Sequence, residues 1–146
     1  MRYLASLVFV LLLPWPASAL VGQSFDVFTG GALIHQLQLT SQGTSAFSGR
    51  TAHRFVSDDG VITVDIVVLG NMIEQQVMYA PMDIQRAYQV TFFLQDAVGS
   101  LVGAQKGMIA YRAAVSNRTE THLPFGSLTM RFTPLGAGQI RVLVSR

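Results

Sequence analysis

The sequence of 146 residues contains no cysteine, one tryptophan and few charged residues, which make up 12% of the chain. Without cysteine the protein forms no disulfides, holds no metal ion through thiolates and has no thiol nucleophile. The ten basic and eight acidic residues nearly balance. The composition therefore indicates neither nucleic acid nor an anionic membrane surface as a partner.

The sequence also lacks the short motifs that mark common active sites. It has no G-x-S-x-G elbow, phosphate-binding loop, G-x-G-x-x-G fingerprint or H-E-x-x-H helix. His35, His53 and His122 fall on separate segments. Glu120 and His122 suit a base and its orienting partner, but a solvated loop explains them better. We predict no catalytic residue, no metal and no cofactor.

The amino terminus is typical of a secretory signal peptide. A short basic start is followed by an apolar run over residues 3–13, a Pro-Trp-Pro break and a small-residue cleavage site at 17–19. The apolar run is too short to span a membrane, which takes about 20 residues. We predict a signal peptide over residues 1–19 and one domain over residues 20–146 that does not span a membrane. An exported chain without disulfides favours a secreted or periplasmic location, in a bacterium rather than a eukaryote.

The strongest folding signal is a hairpin around Gly70-Asn71. Glycine at the first turn position is preferred in a type II′ turn, because that position needs a positive φ. Continuous pairing predicts one face that is apolar except for Gln75. The predicted pairs are Leu69–Met72, Val68–Ile73, Ile66–Gln75, Val64–Val77 and Ile62–Tyr79.

Alternating apolar and polar residues predict further strands, and no segment is predicted to be helical. The predicted strands cover residues 32–40, 46–57, 86–96 and 107–116, with a second hairpin formed by residues 127–133 and 139–145. We expect an all-β single domain of about eight antiparallel strands, because turn signals recur every 8–12 residues. Consecutive hairpins favour a meander β-barrel, with a β-sandwich as the alternative.

Five polar side chains interrupt the presumed inner faces of these strands: His35, Gln75, Tyr79, Tyr88 and Tyr111. An apolar cavity with a few convergent polar groups is typical of a small-molecule pocket. The alternative is structural, with tyrosine hydroxyls at the rim and the other two side chains bonded to the backbone.

Three apolar residues cluster on the outer face at the tip of the first hairpin: Val67, Leu69 and Met72. Such a cluster indicates a partner surface, or else packing beneath a loop or the amino-terminal segment.

These observations favour a non-enzymatic binding module for an apolar small ligand or a partner protein. A small β-barrel enzyme of the cyclase or isomerase type is one alternative. An envelope structural or assembly protein is another.

Overall fold

The computed structural model describes residues 21–146. The predicted signal peptide over residues 1–19 lies outside the described residues.

One antiparallel sheet of seven strands forms the body of the domain, in the order β1-β2-β3-β4-β7-β6-β5. Single-turn 3₁₀ segments precede α3 and β7. The elements in chain order are α1 (Phe25–Thr29), α2 (Ala32–Gln36), β1 (Leu39–Phe47), β2 (Arg50–Ser57), β3 (Thr63–Leu69), β4 (Met72–Pro81), α3 (Ala87–Val98), α4 (Leu101–Asn117), β5 (Thr121–Phe125), β6 (Leu128–Pro134) and β7 (Gln139–Ser145).

The sheet is open rather than closed. β1 and β5 are its two edges, and β4 pairs with β7, which joins a four-stranded meander to a three-stranded one. The expected single, mostly antiparallel domain is confirmed, whereas the preferred meander barrel is not. The helices α3 and α4 lie between the two meanders in the chain.

The strand predicted over residues 86–96 is wrong, because this segment forms helix α3. Its buried residues Val90, Phe93, Leu94, Ala97 and Val98 recur at intervals of three and four, the apolar stripe of a helix. The same segment also fits a strand, because Tyr88, Val90, Phe92 and Leu94 occupy every second position. The helix ends at Gly99, whose φ of +67° is left-handed.

The strand predicted over residues 107–116 is also wrong, because it belongs to helix α4. The Ser100 hydroxyl caps this helix by accepting a hydrogen bond from Gly103 N at 3.1 Å. Gly103 then packs closely, since a Cβ there would lie 2.6 Å from Val98 Cγ1 and 2.8 Å from Phe125 Cε1. Gly103 therefore marks a close contact of α4 with the end of α3 and with strand β5.

Two boundaries near the amino terminus also differ from prediction. Residues 32–40 were expected as one strand, but residues 32–36 form α2 and β1 begins at Leu39. Residues 41–45, which separate the strands predicted over residues 32–40 and 46–57, lie within β1. Helix α2 places Leu33 in the core and leaves His35 exposed.

A β-bulge changes the faces of the β3–β4 hairpin. Leu69–Met72 and Val68–Ile73 pair as predicted, and Gly70 has the expected positive φ of +62°. The register then shifts by one residue, so that Val67 pairs with Gln75. Because neighbouring residues in a strand point to opposite faces, every later residue of β4 changes side.

The second hairpin shifts by two residues instead. Symmetric pairing of residues 127–133 with 139–145 predicts Met130 opposite Val142. In the structure Met130 pairs with Val144, and Pro134 extends the strand opposite Ile140. A shift of two keeps each side chain on its predicted face.

The helices cover one face of the sheet. Phe28 of α1 packs edge-on against Phe55 of β2 at 5.1 Å between ring centroids, and Tyr111 of α4 packs against Phe132 of β6 at 6.4 Å. The inward residues of β3, β4, β6 and β7 are almost completely buried. No described helix packs on the other side of the sheet, which we call the open face.

Candidate interaction surface

The open face carries rows of side chains that the strand register aligns. The central row is Arg54, Asp65, Val77, Leu143, Arg131 and His122. A neighbouring row is Val56, Thr63, Tyr79, Arg141 and Thr133. Side chains opposite each other on one face are close enough to interact. This surface therefore mixes arginine, tyrosine and aliphatic groups.

Most arginines of the open face are held by carboxylates. Arg54 donates Nε and Nη2 to the two oxygens of Asp65, at 2.9 and 2.8 Å. This bidentate pair raises the pKa of Arg54, first through the hydrogen bonds and then through the charge of Asp65. Arg50 forms an ion pair with Glu74 at the bulge.

A second cluster lies at the β5 edge. His122 Nε2 and Glu120 Oε1 are 2.5 Å apart, and Arg131 Nε lies 3.4 Å from the same oxygen. The hydrogen bond from His122 is the main cause of the lowered pKa of Glu120. The structure thus brings together the pair weighed as base and orienter, but both side chains are exposed.

Arg141 differs from the other three arginines. It belongs to no ion pair among residues 21–146, and its buried Nε has no hydrogen-bond partner there. Its strand, β7, is interior to the sheet, and the cross-strand neighbours are Tyr79 and Thr133. An unpaired guanidinium therefore lies within the face.

Val67, Leu69 and Met72, the residues of the predicted partner surface, lie on the open face. Leu69 is 43% exposed and Met72 is 37% exposed, and the two pair across the turn. Val67 is only 4% exposed, between Ala52 and Gln75 in the register. The exposed apolar tip is thus smaller than predicted, and Met72 Sδ lies 3.4 Å from Arg146 Nη1.

The five residues of the predicted pocket are not brought together. His35 is exposed on α2, and the bulge moves Gln75 and Tyr79 to the open face. Tyr88 is 58% exposed on α3 and contacts Phe92, whereas Tyr111 is 2% exposed in the core. The prediction of an inner pocket assumed strands where α3 and α4 form.

The buried polar residue of β4 is Gln76 rather than Gln75. Its Nε2 donates to Asp96 Oδ2 of α3 at 2.9 Å, and its Oε1 has no partner among the described residues. Burial raises the pKa of Asp96 to about 6, against the smaller opposing effect of the Gln76 hydrogen bond. Sequence reasoning missed this contact, which depends on the bulge and on helix α3.

The described part of the chain shows neither a metal-binding cluster nor a membrane-spanning helix. Between residues 21 and 146 no group of three or more His, Asp or Glu side chains is arranged to hold a metal ion. No helix in that range is both long and apolar enough to cross a membrane.

No protein-family model matches the chain, and searches of curated proteins and of solved structures likewise found no match.

Proposed function

We propose that this protein is a non-enzymatic interaction module whose open face binds an acidic segment of a partner protein. The observation that carries the proposal is Arg141, an unpaired guanidinium within a sheet face that no described helix covers. A partner carboxylate would satisfy this charge. Arginine–carboxylate pairs are strong and directional, because the guanidinium donates two parallel hydrogen bonds.

The composition of the face supports a protein partner. Arginine and tyrosine are enriched among the residues that dominate binding energy at interfaces. Tyr79 pairs with Arg141 in the strand register, and Leu143 pairs with Val77. Tyr79, Leu143 and Val77 supply apolar area beside the guanidinium. The exposed pair Leu69 and Met72 extends this area to the hairpin tip.

Charge decides between an acidic partner and a second copy of the chain. Four arginines along the face, Arg50, Arg54, Arg131 and Arg141, meet three carboxylates, Asp65, Glu74 and Glu120. The surplus charge is positive and lies at Arg141. Two copies packed face to face would oppose like charges, which is unfavourable at an interface. An acidic segment complements the surface instead.

The other functions considered receive less support. An apolar ligand or a cyclase-like reaction needs His35 and the tyrosines around one cavity, whereas His35 is exposed on α2 and Tyr111 packs against Phe132. The location follows from the sequence, since the predicted signal peptide would carry the module out of the cytoplasm. We therefore place the partner in the periplasm or the medium.

Site-specific photo-crosslinking tests this proposal. A benzophenone amino acid replaces Leu69 on the open face or, as the control, Ile109, which is 70% exposed on α4. Both proteins are expressed in the native host, and adducts are identified by mass spectrometry. We expect an adduct at position 69 alone, with the crosslinked peptide rich in Asp and Glu.

Charge reversal supplies the matched variants. Arg141→Glu should reduce the adduct at position 69 by at least about tenfold, because repulsion replaces the ion pair. Arg112→Glu, on the exposed side of α4, should leave the yield unchanged. Circular dichroism establishes that each variant is folded, and Arg141→Gln replaces the first variant if it is not. Four outcomes would contradict the proposal. Positions 69 and 109 could give equal adducts, the adduct at position 69 could be with a second copy of the chain, no adduct could form, or the Arg141 variant could leave the yield unchanged.

A further inference from the structure

A polar cleft lies away from the open face, at the end of the sheet opposite the Gly70-Asn71 turn. Its volume is about 520 Å³, within the range of small-molecule sites. Three connections line it: the α2–β1 junction, the β2–β3 turn and the segment from β4 into α3. Loops that converge at one edge of a sheet are common positions for ligand sites.

One carboxylate of the cleft is held firmly in its ionised form. Asp59 Oδ1 accepts hydrogen bonds from Ser57 Oγ at 2.6 Å and from Val61 N at 3.0 Å, and its Oδ2 lies 3.4 Å from Arg86 Nη1. The Ser57 hydrogen bond is the main cause of the lowered pKa of Asp59. This part of the cleft therefore keeps its negative charge at neutral pH.

Two further carboxylates add to the negative charge. With its side-chain amide turned so that Nε2 faces the carboxylate, Gln38 donates hydrogen bonds to Asp58 Oδ1 at 2.9 Å and Oδ2 at 3.0 Å. The backbone of Gln38 is left-handed, with a φ of +52°. Asp83 Oδ1 accepts a hydrogen bond from Gln85 N at 3.0 Å. The three carboxylates exceed the single cation of the lining, Arg86, by two charges.

Gln89 provides an independent indication of a ligand. It lies in the first turn of α3, lines the cleft and is 8% exposed. Its Oε1 is buried with no hydrogen-bond partner among the described residues. An unpaired buried acceptor is costly and needs an explanation, and a donor brought by a ligand supplies one.

Tyr88 adds an aromatic face beside these acceptors. It lines the cleft and is 58% exposed. A cation near an aromatic ring gains further attraction from the electron density of the ring. Carboxylates, an unpaired amide oxygen and an exposed aromatic ring together favour a ligand that is positively charged and rich in N–H donors.

We infer that this cleft binds a small organic ammonium compound, with Asp58, Asp83 and Gln89 accepting its N–H groups and Tyr88 contacting its charge. The ammonium group can come from a linear polyamine or from an amino sugar. Neither the open face nor Arg141 takes part, so this site is independent of the proposed protein interaction.

Titrations followed by ¹⁵N-resolved NMR test the inference on the mature chain at pH 7. The probes are spermidine, glucosamine and glucose, in low salt and in 150 mM salt. We expect saturable shifts at the side-chain amides of Gln89 and Gln38 with at least one ammonium compound, weakened by salt. Spermidine and glucosamine distinguish the polyamine from the amino sugar. Glucose, which lacks the ammonium group, should not bind.

Matched variants separate the cleft from general charge effects. Gln89→Met and Asp83→Asn should each weaken binding of the better probe by roughly tenfold, because each removes an acceptor. Gln95→Met, on the same helix but outside the cleft, and Asp26→Asn, on α1, are the controls and should change nothing. The inference is wrong if neither ammonium compound binds saturably, if glucose binds equally well, or if the cleft variants behave like the controls.

Discussion

The two faces of the seven-stranded sheet differ in what covers them. On the covered face Ile66, Met130 and Val142 are completely buried beneath helices that approach closely at Gly103. On the open face arginines and Tyr79 lie beside Val77 and Leu143 in the strand register, and Arg141 has no ion partner in the described chain. Both faces arise from the same alternating strands. What distinguishes them is which side the helices cover, and each prediction below sets one face against the other.

The largest expected effect is the loss of a core aromatic ring. Phe93 of α3 is completely buried, so Phe93→Ala should lower the free energy of unfolding by about 3–5 kcal/mol. Leu69→Ala on the open face should cost less than about 1 kcal/mol, because Leu69 keeps much of its solvent contact. Urea denaturation of both variants measures the difference. Equal losses would mean that the open face contributes to the core as strongly as the covered one.

A smaller effect is expected where α4 approaches its neighbours. Gly103→Ala places a methyl group 2.6 Å from Val98 Cγ1, and such overpacking typically costs about 1–3 kcal/mol. The gain of about 1 kcal/mol in helix propensity offsets part of this cost. We therefore expect a net decrease in thermal stability.

Gly136→Ala is the matched control, because its added Cβ meets no atom within 4 Å. It should leave the melting temperature nearly unchanged. A Gly103→Ala variant as stable as this control would show that the helix contact is loose.

A third stability effect depends on pH. Burial raises the pKa of Asp96 to about 6 from an ordinary value of 3.8, so the folded protein binds this proton more tightly than the unfolded chain. Ionisation of Asp96 therefore opposes folding as the pH rises from about 4 to above 6. Asp96→Asn should be more stable than wild type at pH 7, by on the order of 1–3 kcal/mol, with the gain disappearing near pH 4.

Unfolding free energies of wild type and Asp96→Asn at pH 4, 5, 6 and 7 check this expectation. Asp59 and Glu120 have lowered pKa values, so they give the opposite pH dependence of stability. Subtracting the two curves removes their contribution, because it is the same in both proteins. Asp26→Asn on the exposed side of α1 is the control and should run parallel to wild type. A constant difference for Asp96→Asn would contradict the assignment.

The strands of both hairpins were predictable, and helix α3 was not recognised. Val64, Ile66 and Val68 of β3, like Ile140, Val142 and Val144 of β7, are buried apolar residues that recur at every second position, which is the period of a strand. In α3 adjacent apolar pairs, such as Phe93 and Leu94, satisfy both a period of two and a period near 3.6. Only the helical period keeps all five of its buried apolar residues on one side, and which apolar residues are buried depends on how α3 packs in the folded protein.

The candidate surface was predictable in part. Leu69 and Met72 lie where the turn places them, because the first pairs of a hairpin depend on the turn alone. Beyond Glu74 the bulge exchanges the roles of Gln75 and Gln76, and no local signal in the sequence marks it. Tyr79 therefore lies on the same face as Arg141 because of the bulge, which the sequence does not reveal.

The sequence by itself determined the antiparallel hairpins and the separation of polar from apolar side chains, because turn chemistry and period-two alternation act over a few residues. Tertiary structure decided three further features: the helical state of residues 87–98 and 101–117, the bulge in β4, and the side of the sheet that is covered. Each depends on which surfaces of distant segments meet and exclude water, and that energy is absent until the chain has folded.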